Sequence, residues 1–451
     1  MKLVMKFGGS SVADAERIRH CAGLVRRFGA EHRVVTTVSA LGGVTDLLLE
    51  LAAAAGCGNR VATHTLLGEI RAKHECAARE LACEEDVRGL LDRLDALVLG
   101  ISAVGELTAR SKDAVVSFGE RLSARLMAAA LGGQALTGAE AGIVTDDHFG
   151  EADPLMELTL YQVRERLEPL LNGAAPVVVT GFLGATQHGV TTTLGRGGSD
   201  YTATILGSAL KADEVWIWSD VDGLMTADPR TVPEARLLDH ITFAESIEMG
   251  QFGAKSMHPR ALEPAVEHRI PVRMRSTFNP DCPGTLITDG QADDTVARCV
   301  LLLKKVALLN VSGASMTGRP GTAARLFGAL ADANVNILVI SQSVSEAGIS
   351  IVVARDQLER AEGAIQAKLL RVGAARRVDV NADVAVVAVV GSGMTGTPGV
   401  AARVFTAVAD HQVNVRAIAQ GSSELSVCFV VSESDGPTAV RALHHGFGLG
   451  Q

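Results

Sequence analysis

The feature that most constrains this chain is a tandem repeat. Residues 311–353 align without a gap onto residues 389–431 at a constant offset of 78, with 22 of 43 positions identical. MTGRPGTAARLF at Met316 returns as MTGTPGVAARVF at Met394, and SQSVSE at Ser341 returns as AQGSSE at Ala419. Self-similarity at that length means two copies of one supersecondary unit. Each copy reads strand, glycine-rich turn, helix, strand, turn, strand and a further helix. This is a βαββα unit whose helices cover one face of an antiparallel sheet, and the two units are expected to pack together.

The chain up to about residue 289 is patterned differently. Short β-branched runs at 3–6, 33–39, 176–181, 214–220 and 270–275 alternate with amphipathic stretches at 13–28, 45–55, 120–131 and 200–210. That alternation predicts a parallel sheet covered by helices. Residues 60–104, rich in Ala, Leu, Glu and Arg, read as extra helices serving as a lid or an interface. At 451 residues the chain exceeds what one core organises, so two or three domains are expected.

Composition removes several classes of function. Aromatic residues make up 4%, too few for stacking on nucleic acid, and the net charge of −9 offers no global attraction for phosphate backbones or anionic lipid. An anionic ligand must therefore be held by local basic groups. Seven cysteines without a CxxC or metal-ligand spacing suit reduced, scattered thiols and a cytoplasmic setting. The apolar run after Lys2 is too short for a secretion signal, and no run approaches the ~20 apolar residues of a membrane span.

Two glycine clusters carry the chemistry. Lys6-Phe7-Gly8-Gly9-Ser10-Ser11 follows the first strand. Adjacent glycines let backbone approach a ligand and leave N–H groups free ahead of the next helix, where phosphate is favoured, and Lys6 adds a full charge. The same string also reads as a plain turn, and GxxxxGK[ST] occurs nowhere. The second cluster, Thr193 to Asp200, sets Arg196 among three glycines, where its planar fork could hold a substrate carboxylate. Asp200 reads either as a helix N-cap or as the anion that fixes Lys6. His258 reads as a packing or hydrogen-bonding residue, since no second histidine stands at ligand spacing.

Gly391-Ser392-Gly393-Met394-Thr395-Gly396, with Asp410 beyond it, scores as a dinucleotide fingerprint. The repeat argues against that, because its twin has Ser315 where the middle glycine should be, and too little chain follows for a dinucleotide-binding domain.

Seven segments in order resemble the aspartokinase family over essentially the whole chain: KFGGSSV at Lys6, SALGGVTDLL at Ser39, FGERLSA at Phe118, GFLGAT at Gly181, TTTLGRGGSDYTA at Thr191, WSDVDGLMTADPR at Trp218 and FGAKSMHP at Phe252. The resemblance implies a three-layer α/β/α amino-acid-kinase domain of the carbamate-kinase-like type over residues 1–295. Two βαββα ACT-like domains would follow over 306–380 and 384–451. It implies an aspartate kinase: ATP-dependent phosphorylation of the L-aspartate side-chain carboxylate, with Mg²⁺ carried by the ATP phosphates.

By the same resemblance Lys6 stabilises the transferred phosphoryl group and Asp200 holds that lysine. Thr45, Glu120, Phe182, Arg196 and Ser199 line the aspartate site, Glu120 taking the α-ammonium and Arg196 the α-carboxylate. Gly8, Gly9 and Ser10 meet phosphates, and Ser219, Asp220, Met225, Arg230, Lys255 and Ser256 fall at nucleotide positions. Met225 stands where many relatives have tyrosine, which replaces a stacking contact with a softer apolar one. Asn336, Ile337 and Gln342, with Asn414, Val415 and Gln420, match the amino-acid effector positions. The IxQSxSE setting of Gln342 favours threonine over lysine as the effector. A homodimer or homotetramer through the ACT-like sheets is expected, since their edge strands need covering. A sister kinase acting on another substrate and a catalytically silent amino-acid-binding regulator are the competing readings. Lys6, Arg196 and Asp200 are all present, which disfavours the second.

Overall fold

A computed structural model describes residues 1–450 apart from 174, 253–256, 291–294, 314–319 and 344–346. The chain forms two compact units, one of Met1–Leu224, Asp239–Phe243 and Met257–Gly290, the other of Met225–Leu238, Ala244–Ser256 and Gln291–Gln451.

In the first unit the strands are β1 (Lys2–Phe7), β2 (Arg33–Val38), β3 (Gln134–Leu136), β4 (Val144–Thr145), β5 (Val177–Thr180), β6 (Leu183–Thr186), β7 (Thr191–Thr193), β8 (Glu214–Ser219), β9 (His240–Thr242), β10 (Val272–Ser276) and β11 (Thr285–Thr288). Eight of them form one sheet in the order β3-β5-β2-β1-β8-β10-β11-β9, with β1 parallel to both β2 and β8. Period-two alternation along β1 sends Leu3, Met5 and Phe7 into the core shared with helices Ala15–Gly29 and Phe118–Leu131. Lys6, of opposite parity, faces the helix Gly198–Leu210 on the other side. The result is three layers, α/β/α.

The chain leaves β1 for β2 on one side and returns to β8 on the other, so the strand order reverses at β1. Crevices at the carboxyl ends of such strands are where open α/β sheets take ligands. Residues 60–104 form two helices, Arg60–Glu80 and Glu84–Val104, and their Ile70, Leu91, Leu94 and Val98 extend the same core. A second small sheet, β4-β6-β7, carries the chain into the loop at Thr193. Its strands are two to four residues long, too short for a periodic signal in the sequence.

In the second unit the strands are β12 (Cys299–Ser312), β13 (Ile337–Gln342), β14 (Gly348–Ala354), β15 (Arg377–Val390), β16 (Ala417–Gln420) and β17 (Ser426–Ser432), in the order β13-β14-β12-β15-β17-β16. The offset of 78 carries β12 onto β15, β14 onto β17 and the helix Thr322–Asp332 onto Val400–Asp410, end to end. β12 and β15 pair antiparallel from Cys299↔Val390 to Ser312↔Arg377, which makes their seam a local pseudo-twofold. Each of these long strands serves both copies. Val300 and Leu302 of β12 reach the core of copy two, while Val378 and Ala382 of β15 reach that of copy one. The copies are thus interlocked. Leu309, Leu326, Leu330 and Ile351 fill one core at the positions where Val387, Val404, Val408 and Phe429 fill the other.

Two earlier segments belong to this unit and attach to copy two. Ala227 and Val232 enter its core, and Thr226 Oγ1 lies 2.9 Å from His444 Nε2. In the helix Phe243–Gln251, Glu245 accepts hydrogen bonds at 2.8 Å from the N–H and the hydroxyl of Ser392, and Glu248 accepts one at 2.8 Å from Ser426 Oγ. The fingerprint-like glycines are accounted for here. A Cβ on Gly391 would lie 2.5 Å from Val296 O, and one on Gly393 2.4 Å from Thr295 O. These glycines let two stretches of the same chain touch, and the amide between them is taken by Glu245. Among the described residues no helix is long and apolar enough to cross a membrane.

Candidate active site

Lys6 stands at the carboxyl end of β1, paired in register with Thr37 and Ile217 of the flanking strands, and is 9% exposed. Its Nζ lies 2.5 Å from Asp200 Oδ1. Asp200 sits in the first turn of the helix Gly198–Leu210, whose N-cap is Gly197, so its carboxylate is spent on the lysine and not on capping. In the loop after β1, Gly8 N–H donates to Trp218 O at 3.3 Å, and Ser11 and Val12 turn back onto Gly8 O. Among the described residues the amides of Gly9 and Ser10 have no protein acceptor. Of the free N–H groups read from the sequence, the one on Gly8 is therefore already used. An amine, two open amides and a hydroxyl make a donor set for phosphate oxygens.

This loop touches the one that follows β2. A Cβ on Gly9 would lie 3.0 Å from Ala40 O, and one on Gly42 would lie 3.3 Å from Gly9 O, so a side chain at either position would crowd the approach. Lys73, from the helix Arg60–Glu80, donates to Gly42 O and braces the same turn. Thr45, half-buried, opens the helix Val44–Gly56 just beyond it. Glu120 is 3% exposed; its Oε1 accepts from Ala40 N–H at 3.2 Å, and its Oε2 has no partner among the described residues. Burial raises its pKa to about 8, against the lowering effect of backbone N–H groups and of Lys6. A buried carboxyl with an open oxygen suits an incoming cation, whose arrival would ionise it.

On the other side of the site the chain is strained. Phe182 adopts φ +65°, a left-handed conformation costing a bulky residue about 1–3 kcal/mol. It is held there by its N–H, which donates to Thr202 Oγ1 at 2.9 Å, and by its carbonyl, which accepts from Leu194 N–H at 2.9 Å. Ser199 packs against Gly181, where a Cβ would come within 2.6 Å of it. Arg196 is exposed between Gly195 and Gly197, both at positive φ, and forms no ion pair among the described residues. His258 is the N-cap of the helix Pro259–His268, and its pKa is lowered by burial and by the charge of Arg196.

Among the nucleotide-position residues, Ser219 Oγ donates to Asp220 Oδ1 at 3.2 Å just past β8. Met225 and Arg230 belong to the second unit, where Met225 bridges Leu237 and Arg230 pairs with Asp228 at 2.7 Å. Lys255 and Ser256 lie outside the described residues. Gln342 and Gln420 are the exposed last residues of β13 and β16, with exposed Asn336 and Asn414 at matching positions and Ile337 and Val415 half-buried beside them. Reading the sequence did not single out Asp113 or Lys73. A lone carboxylate beside Val115 and Val116 was the available signal for the first; the second left none.

Residues 1–276 match the amino acid kinase family, and residues 309–369 and 387–447 each match an ACT domain. The fold and this donor set thus define an amino acid kinase carrying paired ACT domains. Aspartokinase 1, chloroplastic, of Arabidopsis thaliana is 34% identical over 461 residues, covering 98% of this chain and 80% of its own. The maize bifunctional aspartokinase/homoserine dehydrogenase 1 is 35% identical across 99% of this chain, which spans 50% of that protein's length. The crystal structure of E. coli aspartokinase III with aspartate and ADP (R-state) superposes with a TM-score of 0.83 at 31% identity, covering 99% of both chains. The chain belongs to the aspartokinase family.

Proposed function

We propose that the protein transfers the γ-phosphoryl group of ATP to the side-chain carboxylate of L-aspartate, forming 4-phospho-L-aspartate at the entry to aspartate-derived amino acids. The observation that carries this reading is the Lys6–Asp200 ion pair at the carboxyl end of the central strand, beside the open amides of Gly9 and Ser10. Phosphoryl transfer asks a protein for alignment and charge neutralisation more than covalent chemistry, and an ionised carboxylate needs no general base. Lys6 is aimed by Asp200 at the moving group; the amides of Gly9 and Ser10 cradle phosphate oxygens, and Gly8, its own amide spent on Trp218 O, lets the phosphate approach the loop. Arg196 holds the α-carboxylate, Glu120 the α-ammonium, and Thr45, Phe182 and Ser199 complete the wall. Ser219, Asp220, Met225, Arg230, Lys255 and Ser256 serve the nucleotide. Mg²⁺ would come as a companion of ATP, carried on its phosphates and neutralising their charge, while the Lys6 amine and the Gly9 and Ser10 amides would take the phosphate oxygens left free.

The catalytic domain occupies residues 1–295, and the ACT domains, 306–380 and 384–451, sense an amino acid through Asn336, Ile337 and Gln342 and through Asn414, Val415 and Gln420. Threonine is the effector favoured by the setting of Gln342, whose amide offers both donor and acceptor. Sheet edges β13 and β16 expose Ile340 and Ile418, each 47%, and support self-association into a dimer or tetramer. The test is trapping of an acyl phosphate by hydroxylamine from ATP, Mg²⁺ and aspartate, repeated with threonine and with lysine. Hydroxamate formed from aspartate and suppressed by threonine is the expected outcome. No hydroxamate refutes the activity; suppression by lysine alone refutes the effector.

A further inference from the structure

We propose that Asp113 is the positioning residue for the amino-acid-binding loop: its carboxylate ties the strand end at Thr193 to the turn at Gly150, and so sets where Arg196 stands. The inference rests on the reading of Arg196 as the clamp on the substrate's α-carboxylate.

Asp113 lies in the short helix Ala109–Val116 and is 2% exposed, two residues ahead of buried Val115 and Val116. Its Oδ2 accepts from Gly150 N–H at 3.0 Å and Thr193 N–H at 2.9 Å, and its Oδ1 accepts from Thr193 Oγ1 at 3.0 Å. A further bond from Ala152 N–H to Thr193 O, 2.9 Å, closes the bracket between the two segments. Two of the groups facing the carboxylate are backbone N–H donors that share Oδ2, and the third is a hydroxyl; an amide could meet them only by giving its one oxygen to both N–H groups and its NH2 to Thr193 Oγ1, without the charge that strengthens these bonds. No cation pairs with Asp113 among the described residues, and burial raises its pKa. Packing alone would be served by an aliphatic residue, which would avoid the desolvation of a charge.

What this carboxylate fixes is the near end of the Arg196 loop. Leu194 is fully buried and bonded to Phe182 O, after which Gly195 (φ 73°) and Gly197 (φ 72°) flank Arg196. Gly195 passes close to the Gly150 turn, where an added Cβ would lie 3.1 Å from Glu151 Cγ. Glycines contribute no stiffness, so the loop's placement is inherited from its anchors. Asp113 supplies the anchor that also holds the neighbouring turn.

The test is steady-state kinetics with each substrate varied in turn, alongside thermal melting. Asp113→Asn should raise the KM for aspartate on the order of ten- to a hundredfold, the scale of an ångström-level misplacement. It should leave the KM for ATP, and kcat at saturating aspartate, within about threefold, since what is lost is uniform binding of one substrate. Thr193→Val, which removes one donor without changing shape, should shift the aspartate KM the same way by about three- to tenfold. Arg196→Ala is the control. If it leaves the aspartate KM unchanged, the reading of the site fails; if it raises that KM while Asp113→Asn does not, only the positioning role fails. Parallel losses for both substrates with a lowered Tm would make Asp113 structural and overturn the proposal. Should Asp113→Asn not fold, an unchanged aspartate KM in Thr193→Val overturns it instead.

Discussion

The two units bury polar groups for different ends. In the first, Lys6, Glu120 and Asp113 are charged or ionisable, less than a tenth exposed, and gathered around loops at the strand ends. In the second, both copies of the repeat have aliphatic cores in register, and the buried polar side chains Thr226, Glu245, Ser426 and His444 stand where earlier segments join copy two, the Glu245 carboxylate held there by Ser392. Burying a charge costs far more than burying a bonded hydroxyl, so a fold retains it where something else is gained. Chemistry belongs to the first unit and attachment to the second. The repeat sharpens the contrast, because Ser392, Ser426 and His444 of copy two correspond to Ala314, Gly348 and Gln366 in copy one. Only copy two has the hydroxyls that engage Glu245 and Glu248.

If the contrast is sound, the largest effect comes from the first unit. Lys6→Ala should lower turnover by on the order of 10²–10³, the scale of one transition-state donor, while leaving the protein folded and its response to the effector unchanged. Hydroxamate assays on purified variant measure it, and near-normal turnover would break the comparison.

Glu120→Gln comes next and has a pH signature. The folded protein keeps a proton on Glu120 that the unfolded chain releases between 4.5 and about 8, so this group lowers stability as pH rises through that window. The melting temperature of Glu120→Gln, taken relative to the unchanged protein without ligands, should therefore climb across the same window. A flat difference would mean the carboxyl is not held neutral. With aspartate present, the variant should show a KM raised by roughly tenfold or more, because the ammonium loses its counter-charge.

In the second unit the effects fall on regulation and local stability. Gln342→Ala should weaken inhibition by threonine about five- to tenfold, within the usual range of coupling between sites, while saturated turnover is kept. Gln420→Ala, read beside it, tells whether the two copies sense equally. The smallest effect is expected for Ser426→Ala, which removes the 2.8 Å bond to Glu248 at a cost of about 1 kcal/mol. Faster hydrogen exchange confined to the helix Phe243–Gln251 is its readout; unchanged exchange there would show that copy two does not hold that helix.

The duplication was plain in the sequence because identical residues recur at a fixed offset, and the structure follows that offset strand by strand. The central strand and its glycine turn were legible because an apolar run, Lys6 and two glycines are contiguous. What stayed hidden depends on distant partners. The sheet β4-β6-β7 is too short to show a period, Asp113 acquires meaning only from Thr193, eighty positions away, and Phe182 gives no hint in the sequence of its left-handed backbone. The glycines at 391 and 393 imitate a dinucleotide fingerprint for a related reason: close approach selects glycine whether the approaching group is a pyrophosphate or, as here, the backbone of Thr295 and Val296.

The most direct test of the whole account is a crystal structure of the protein with Mg²⁺, a non-hydrolysable ATP analogue and aspartate bound. The account predicts the Lys6 amine, still paired with Asp200, within hydrogen-bonding reach of the terminal phosphate, and the guanidinium of Arg196 on the aspartate α-carboxylate. A terminal phosphate bound away from Lys6, or aspartate seated beyond reach of Arg196, would contradict it.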